Sequence, residues 1–386
     1  MPLDPTGDLV TLLGALVDIP SESLAEAQIA DEIEASLVGA GHLTVERDGN
    51  SIVARTQLGR DERVLICGHV DTVPAADNLP HYLDVVDGEE RLVGLGSCDM
   101  KGGLAVALAL AATVTEPTRD VTYVFYEAEE IDARFNGLRR LALTRPDLLA
   151  GDFAVLMEPS DAGVEGGCQG TLRAEIHIAG RRAHSARSWL GTNAIHGAAD
   201  VLARLAEYQP ARVMVDGLEY REGLNAVGIV GGVAGNVIPD ECVVTVNYRF
   251  APTLTEDLAI RHVKAVFEGF DVRVVDVAGG ALPGLAHPAA QAFLARTGSV
   301  PRPKFGWTDV ARFSALGIPA VNYGPGDPSL AHTREEYVPI DQVLLTHQVL
   351  ADWLRAPIPV KDAWGVVSMP IDAATRRRQA RAADRG

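Results

Sequence analysis

Residues 64–71 have the sequence VLICGHVD, and this stretch gives the first indication of the fold. Its first four residues, Val64–Cys67, form a short apolar run that is typical of a buried strand. His69 and Asp71 follow directly, so polar side chains stand where the strand ends. Because ligands of open α/β sheets bind outside the carboxyl ends of the strands, this arrangement predicts a functional site at that end.

Strand-like and helix-like patterns alternate outward from this stretch. The apolar runs Val121–Tyr126 and Phe153–Met157 predict two further buried strands, and the small apolar residues from Gly102 to Val114 predict a helix. The pattern returns later, with a predicted helix at 308–316, a strand at 320–323 and a helix at 340–354. Such alternation is typical of an α/β domain with a mainly parallel sheet.

The pattern differs between about Leu172 and Gly284. Alternating strands are expected there at 172–178, 226–233, 242–250 and 272–277, and helices at 193–208 and 255–267. This β-α-β-β-α-β order predicts a small two-layer α+β domain. Since the α/β pattern resumes afterwards, we expect an insertion at 172–284 in an α/β domain formed by 1–171 and 285–356, followed by a basic C-terminal extension at 357–386.

The charge balance excludes some partners. The chain has 34 Lys and Arg residues against 52 Asp and Glu residues, which gives a net charge of −18. Nucleic acids and anionic membranes are bound through an excess of Lys and Arg, so neither is expected as a partner. A negatively charged substrate would therefore need arginines or lysines placed locally.

The apolar segments, the N-terminus and the cysteine pattern predict a cytoplasmic protein. The longest apolar stretch, Leu104–Val114, is about half of the roughly 20 residues that a membrane-spanning helix needs. The N-terminus has no basic segment before its apolar run, so we do not expect a signal peptide. The four cysteines are scattered without a CxxC pair, which favours free buried thiols in a reducing compartment.

Five short segments carry acidic or histidine residues directly after apolar runs: 68–71 (GHVD), 96–102 (GSCDMKG), 127–130 (EAEE), 157–159 (MEP) and 330–332 (LAH). Carboxylates brought together at strand ends would repel each other and lose hydration, and a divalent cation removes both problems. Imidazole and carboxylate ligands without thiolate suit zinc, cobalt or manganese. Two histidines and three carboxylates are enough for two ions if one carboxylate bridges them.

These segments, taken in order, resemble the family of di-zinc amidohydrolases that includes acetylornithine deacetylase, succinyl-diaminopimelate desuccinylase and aminoacylase. The quoted motifs are VLICGHVDTVP at 64–74, GLGSCDMKGG at 94–103, and the EAEE, MEP and AHT segments, and the resemblance spans residues 8–355. It implies a zinc-aminopeptidase-like α/β catalytic domain with an inserted ferredoxin-like dimerisation domain, and hence a homodimer. The layout expected from the strand and helix patterns agrees with this.

The resemblance also implies the role of each site residue. His69 and Glu158 would bind one ion, Glu130 and His332 the other, and Asp99 would bridge them. Asp71 would orient the His69 imidazole, and Glu129 would act as the general base that takes a proton from the water between the ions. The family also has a cis peptide after the bridging aspartate, here Asp99–Met100.

Three further residues match family positions in the inserted domain. His196 would stabilise the oxyanion in the partner subunit's active site. Asn236 and Arg249 would hold substrate carboxylates, and arginine suits a carboxylate through two parallel hydrogen bonds.

The resemblance implies that the substrate is an N-acyl amino acid. The segments 165–173, 182–189 and 306–312 resemble those of the desuccinylases in this family. This favours N-succinyl-LL-2,6-diaminopimelate as the substrate, cleaved to succinate and LL-2,6-diaminopimelate in lysine and cell-wall precursor synthesis. Acetylornithine deacetylase, an aminoacylase and a dipeptidase of the same family stay open as alternatives, as does a metal-bound scaffold without activity. Other hydrolase and nucleotide-binding chemistries are disfavoured, because the sequence has no GxSxG, GxxxxGK[ST] or HExxH motif.

Overall fold

The structure is a computed structural model that describes residues 2–358 together with the backbone of the short pair 360–361 and 367–368. The chain forms two compact units. The first comprises residues 1–164, 285–301 and 318–386, and the second comprises residues 165–284 and 302–317. Most of the C-terminal extension expected at 357–386 lies outside the described residues.

The elements follow the chain in the order below. Up to residue 164 they are α1 (Leu9–Val17), α2 (Ala27–Val38), β1 (Leu43–Asp48), β2 (Ser51–Thr56), β3 (Arg63–His69), β4 (Tyr82–Val86), β5 (Glu89–Val93), α3 (Gly102–Thr113), β6 (Asp120–Tyr126), α4 (Gly137–Thr144) and β7 (Phe153–Leu156). From residue 165 to 284 they are β8 (Glu165–Gly166), β9 (Gly170–Ala179), β10 (Ala183–His184), α5 (Ala194–Glu207), β11 (Arg212–Val215), β12 (Leu218–Arg221), β13 (Gly223–Gly231), β14 (Val237–Ile238), β15 (Glu241–Phe250), α6 (Glu256–Val266) and β16 (Asp271–Ala278). The remainder are α7 (Pro288–Thr297), β17 (Arg302–Pro303), α8 (Val310–Ala315), β18 (Ala320–Asn322), β19 (Tyr337–Pro339), α9 (Ile340–Arg355), β20 (Val360–Lys361) and β21 (Val367–Ser368). Single turns of 3-10 helix occur at Pro146–Leu149, Ser185–Leu190 and Pro328–Leu330, and an irregular helical turn occurs at Ser97–Lys101.

The first unit is built on a mainly parallel sheet in which strands follow the order β1-β2-β6-β3-β7-β18. Strand β3 lies at its centre and pairs in parallel with β6 and β7, while β18 pairs in parallel with β7. Strands β1 and β2 add an antiparallel edge. Because β3 is buried from Val64 to His69 and β6 along its whole length, both strands are mostly apolar rather than alternating.

Helix α3 crosses this unit and is buried from Gly102 to Ala111, which explains its small side chains. It packs against α1, α9 and β3. Its close approach depends on Gly103, since a Cβ at that position would lie 2.3 Å from the carbonyl oxygen of Met157. The helix therefore begins beside the end of β7, and Glu158 lies two residues beyond that end.

The second unit contains a four-stranded antiparallel sheet in the order β13-β15-β9-β16, with α5 and α6 packed on it. Alternate residues of β9 and β15 are buried, and these side chains form the core together with one face of α5 and α6. The β-α-β-β-α-β order expected from the sequence is present, with the hairpin β11–β12 added before β13.

The compact units differ from the predicted boundaries at two places. The second unit begins at Glu165 rather than 172, and it also includes residues 302–317, which the sequence pattern placed in the catalytic domain. Short parallel pairing between β17 and β8 joins this late segment to the beginning of the second unit. Two-residue strands such as these are too short to give a recognisable pattern in the sequence.

All four cysteines are free and buried. No helix within the described residues is long and apolar enough to cross a membrane.

Candidate metal centre

The carboxyl ends of three parallel strands in the first unit carry the predicted site. His69 is the last residue of β3, the 127–130 segment follows β6, and Glu158 lies two residues beyond β7. Asp99 lies in the turn that precedes α3, and His332 lies in the loop before β19. The sheet thus brings together residues that are far apart in the chain.

The five predicted ligands form two groups that share one residue. His69, Asp99 and Glu158 can each offer an atom such that the three atoms lie within 4.8 Å of one another, and so can Asp99, Glu130 and His332. The two oxygens of Asp99 face different imidazoles: Oδ1 lies 3.1 Å from His69 Nε2, and Oδ2 lies 3.5 Å from His332 Nε2. A carboxylate between two histidines in this way has the geometry of a bridging ligand.

The predicted base lies in the same cluster. Glu129 forms a third group with His69 and Glu130, again with candidate ligand atoms within 4.8 Å of one another. The Glu129 carboxylate therefore lies close to the candidate ligands, and its role as the base stays a prediction.

Asp71 is fully buried and connects the β3 end to the 127–130 segment. Its Oδ1 accepts the backbone N–H of Glu129 at 3.0 Å, and its Oδ2 accepts the N–H of Glu130 at 3.1 Å. Its backbone carbonyl lies 3.0 Å from His69 Nδ1, which leaves Nε2 of the imidazole to face Asp99. The side chain of Asp71 therefore holds the backbone of Glu129 and Glu130, while its carbonyl orients the His69 imidazole.

Glu26 supports the same segment, and sequence reasoning missed it. This buried residue accepts the backbone N–H of Ala128 on Oε1 at 3.2 Å. Ala128 has φ of 57°, in the left-handed region that non-glycine residues rarely adopt. The turn at Ala128 directs Glu129 and Glu130 towards the cluster. A single glutamate before a helix forms no sequence pattern from which this contact could be predicted.

Charges in the cluster shift several pKa values. Burial by itself lowers the pKa of His69, but its contacts with Asp71 and Asp99 outweigh this effect and raise the pKa well above its ordinary value. Hydrogen bonds to Asp99 and Glu130 raise the pKa of His332 to about 10. Burial disfavours the charged form of Asp99, but hydrogen bonds with the two histidines outweigh it and lower its pKa.

These donors fit a divalent cation. The raised pKa values favour protonated imidazoles in the metal-free protein, and a cation that binds there must displace those protons. The donor atoms are imidazole nitrogens and carboxylate oxygens, and no thiolate belongs to any of the groups. Such a set suits zinc, cobalt or manganese rather than calcium or magnesium, which prefer oxygen ligands alone.

The cis peptide expected after Asp99 is present between Asp99 and Met100. Met100 is fully buried, and its sulfur lies 3.3 Å from the backbone nitrogen of His69.

The other three predicted residues belong to the second unit. His196 lies in the first turn of α5 with an exposed side chain, and Asn193 caps that helix. Asn236 is exposed just before β14, and its backbone carbonyl accepts the N–H of Ser185 at 2.8 Å. Arg249 lies near the end of β15 and is partly buried. Their roles stay predictions.

Comparison with known proteins places the chain in a family. Residues 65–356 match the family model described as Peptidase family M20/M25/M40, and the chain belongs to that family. The chain is 54% identical over 355 residues to a protein of Mycobacterium tuberculosis provisionally named succinyl-diaminopimelate desuccinylase DapE, covering 91% of this chain and 99% of that protein. It is 47% identical over 363 residues to a protein of Corynebacterium glutamicum named succinyl-diaminopimelate desuccinylase, covering 91% and 97%.

A solved structure shows the same fold. A tripeptidase from Staphylococcus aureus superposes with a TM-score of 0.72 at 22% identity and covers 92% of this chain and 99% of its own. The family resemblance inferred from the motifs, and the α/β fold class that it implied, are therefore confirmed.

The pKa of His332 predicts how the metal-free protein responds to pH. Because folding raises this pKa from 6.5 to about 10, the attraction between His332 and its carboxylate neighbours is complete below pH 6.5 and is lost as the pH rises towards 10. The chelator-treated wild type should therefore be more stable than His332→Gln at pH 6, with the difference shrinking towards pH 10. Denaturant unfolding of both proteins across this range measures it. A difference that grows with pH would contradict the assigned contacts.

Proposed function

We propose that this chain hydrolyses the amide bond of N-succinyl-LL-2,6-diaminopimelate and releases succinate and LL-2,6-diaminopimelate. The observation that carries the proposal is the position of the Asp99 carboxylate, with one oxygen near His69 and the other near His332. Identities of 54% and 47% with proteins that bear this enzyme name support the substrate.

Two divalent ions, with zinc as the best fit, would bind in this cluster. His69 and Glu158 would hold one ion, Glu130 and His332 the other, and Asp99 would contact both. When bound, such a pair supplies Lewis acidity, which polarises the amide carbonyl and lowers the pKa of water. The motif similarity and the ligand chemistry support zinc, with cobalt or manganese as alternatives.

Glu129 would move the proton. Its carboxylate takes a proton from the attacking water as the water oxygen bonds to the amide carbon, and it then delivers that proton to the amide nitrogen as the C–N bond breaks. The second proton of that water passes from the new carboxyl group to the amine, so the products are a carboxylate and an ammonium group and atoms and charges balance. Asp71 keeps the backbone of Glu129 in place during both steps.

The second unit would supply contacts to the substrate carboxylates. In the second unit, Arg173, Arg182 and Arg312 are already paired with Asp276, Asp240 and Asp309. Arg249 forms no ion pair within residues 2–358, and its partial burial lowers the pKa of its guanidinium. A substrate carboxylate would replace the water that such a group loses. Asn236 would add a neutral hydrogen bond.

A homodimer would complete the site through His196, which would stabilise the oxyanion of the partner subunit's reaction. Strand β13 supports this, since it is an edge strand with exposed apolar side chains at Val227, Ile229 and Val230. Unpaired edges of this kind tend to be covered by another chain. Ile195, directly before His196, packs beside this strand at Gly231. A cytoplasmic location stays a prediction from the cysteine and charge pattern.

The first prediction concerns the base. Glu129→Gln should reduce kcat by orders of magnitude, because the amide cannot accept the proton, while the protein keeps its metal content. Steady-state kinetics together with elemental analysis measure both quantities. A variant that turns over at the wild-type rate would remove Glu129 from the mechanism, and a wild type that binds metal without turnover would favour the inactive scaffold.

The second prediction concerns the substrate. The wild-type enzyme should have a higher kcat/KM for N-succinyl-LL-2,6-diaminopimelate than for N-acetylornithine, an N-acetylated neutral amino acid or a dipeptide. All four are assayed with the same preparation and the same zinc content. Equal or faster turnover of any of the other three would replace the proposed substrate with one of the family's alternatives.

The third prediction concerns the edge strand. Ile229→Lys should shift the protein from dimer to monomer in light scattering and should lower kcat, because each site then lacks the partner's His196. Val275→Lys is the matched control, since Val275 is similarly exposed at the opposite edge of the same sheet, on β16. A dimeric, active Ile229→Lys variant would contradict the use of this edge.

A further inference from the structure

Glu336 is a buried carboxylate that belongs to none of the groups of candidate ligands. It follows His332 by four residues, directly precedes β19 and is 1% exposed. Its carboxylate accepts three backbone N–H groups: Oε2 from Gly96 at 3.0 Å, and Oε1 from Cys98 at 3.0 Å and Asp99 at 2.9 Å. All three donors lie in the turn that ends at the shared aspartate.

The backbone around Glu336 is joined to the same turn. Its carbonyl accepts the N–H of Gly94 at 3.0 Å, and β19 pairs with β5 directly before that turn, with Tyr337 opposite Val93. One residue therefore connects the segment that carries Asp99 to the segment that carries His332. These two ligands approach to 3.5 Å, although 233 positions separate them in the sequence.

The acceptor oxygens of Glu336 suit this position. Backbone N–H groups that point into a buried space lose hydration and need an acceptor, and a carboxylate can serve several of them at once. Without it, the turn would have three unsatisfied donors beside Asp99. The turn would then rearrange to bring those donors to water, and the Asp99 carboxylate would move with it.

We propose that Glu336 is a positioning residue for the metal centre. Its side chain fixes the Asp99 carboxylate between His69 and His332 without touching an ion or the substrate. The inference deepens the proposed function and rests on it only for the presence of ions at Asp99. Partners that orient ligands from outside typically change metal affinity by about 10-fold to 100-fold when they are replaced.

Two variants test this role. Glu336→Gln keeps one acceptor oxygen, but its NH₂ group would face a backbone N–H, and Glu336→Ala removes the acceptor altogether. Asp120→Asn is the matched control, because Asp120 is also buried and accepts the backbone N–H groups of Leu58 and Arg60 at 2.8 and 2.9 Å. It lies at the start of β6, the opposite end of the sheet from His69.

The main readout is the Kd for Zn²⁺ of the chelator-treated full-length protein, measured by competition with a chromophoric chelator. Glu336→Gln should weaken binding by about 10-fold or more, Glu336→Ala by at least as much, and Asp120→Asn by less than about 2-fold. At saturating Zn²⁺, Glu336→Gln should lower kcat and leave KM close to that of the wild type. A purely structural role would lower the thermal stability of all three variants without separating their Kd values.

The inference fails if folded Glu336→Gln binds Zn²⁺ as tightly as the wild type, or if Asp120→Asn weakens binding equally. It also fails if neither Glu336 variant folds, because the side chain would then support the fold as a whole. The substrate is tested separately: a wild type that binds Zn²⁺ but leaves N-succinyl-LL-2,6-diaminopimelate intact would refute the proposed function, while the Kd comparison would still decide the role of Glu336.

Discussion

The electrostatic repulsion among Asp99, Glu129, Glu130 and Glu158 is the constraint on which the rest of the first unit depends. Four carboxylates at the end of one sheet would separate if nothing held them, since each loses hydration as it approaches the others. Two imidazoles lie among them, at 3.1 and 3.5 Å from Asp99. Protonated imidazoles offset the carboxylate charge in the metal-free protein, and a bound cation would do so in their place.

The fold holds the cluster mainly through backbone N–H groups that donate to buried carboxylates. Asp71 accepts from Glu129 and Glu130, Glu26 accepts from Ala128, and Glu336 accepts from the turn at Asp99. Each of these acceptors lies on a different segment from the loop that it holds. Tertiary structure, rather than local preference, therefore directs the segments that carry Asp99, Glu129 and Glu130.

Glycines and small residues allow this crowding. Gly68 precedes His69, and a Cβ there would lie 2.8 Å from the Met100 side chain. Gly103 allows α3 to begin against the end of β7. These close approaches keep the ligand-bearing strand ends within a few ångströms of each other, which a looser sheet end would not do.

Much of this could be predicted from the sequence. Apolar runs in the sequence correctly predicted the buried strands β3, β6 and β7, and each strand is followed by polar residues of the cluster. The inserted sheet was likewise visible in the alternation of β9 and β15. The short strands β8 and β17 had too few residues for a pattern, so the attachment of residues 302–317 to the second unit was missed.

Glu26 and Glu336 were missed for a different reason. Each is a single glutamate, and a glutamate in a loop is ordinarily solvated. Their function depends on burial and on backbone donors from segments that lie 102 and 237 residues away in the chain. A local sequence pattern cannot predict such a contact. Histidines and paired acidic residues that follow strands, by contrast, indicate metal binding.

The proposed metal centre depends on an Asp99 carboxylate that is shared by two ions. Anomalous diffraction at the zinc edge, from crystals grown with Zn²⁺, measures this directly. Two peaks are expected about 3.5–4 Å apart on either side of Asp99, one beside His69 and Glu158 and the other beside Glu130 and His332. A single peak, or two peaks of which only one lies beside Asp99, would contradict it.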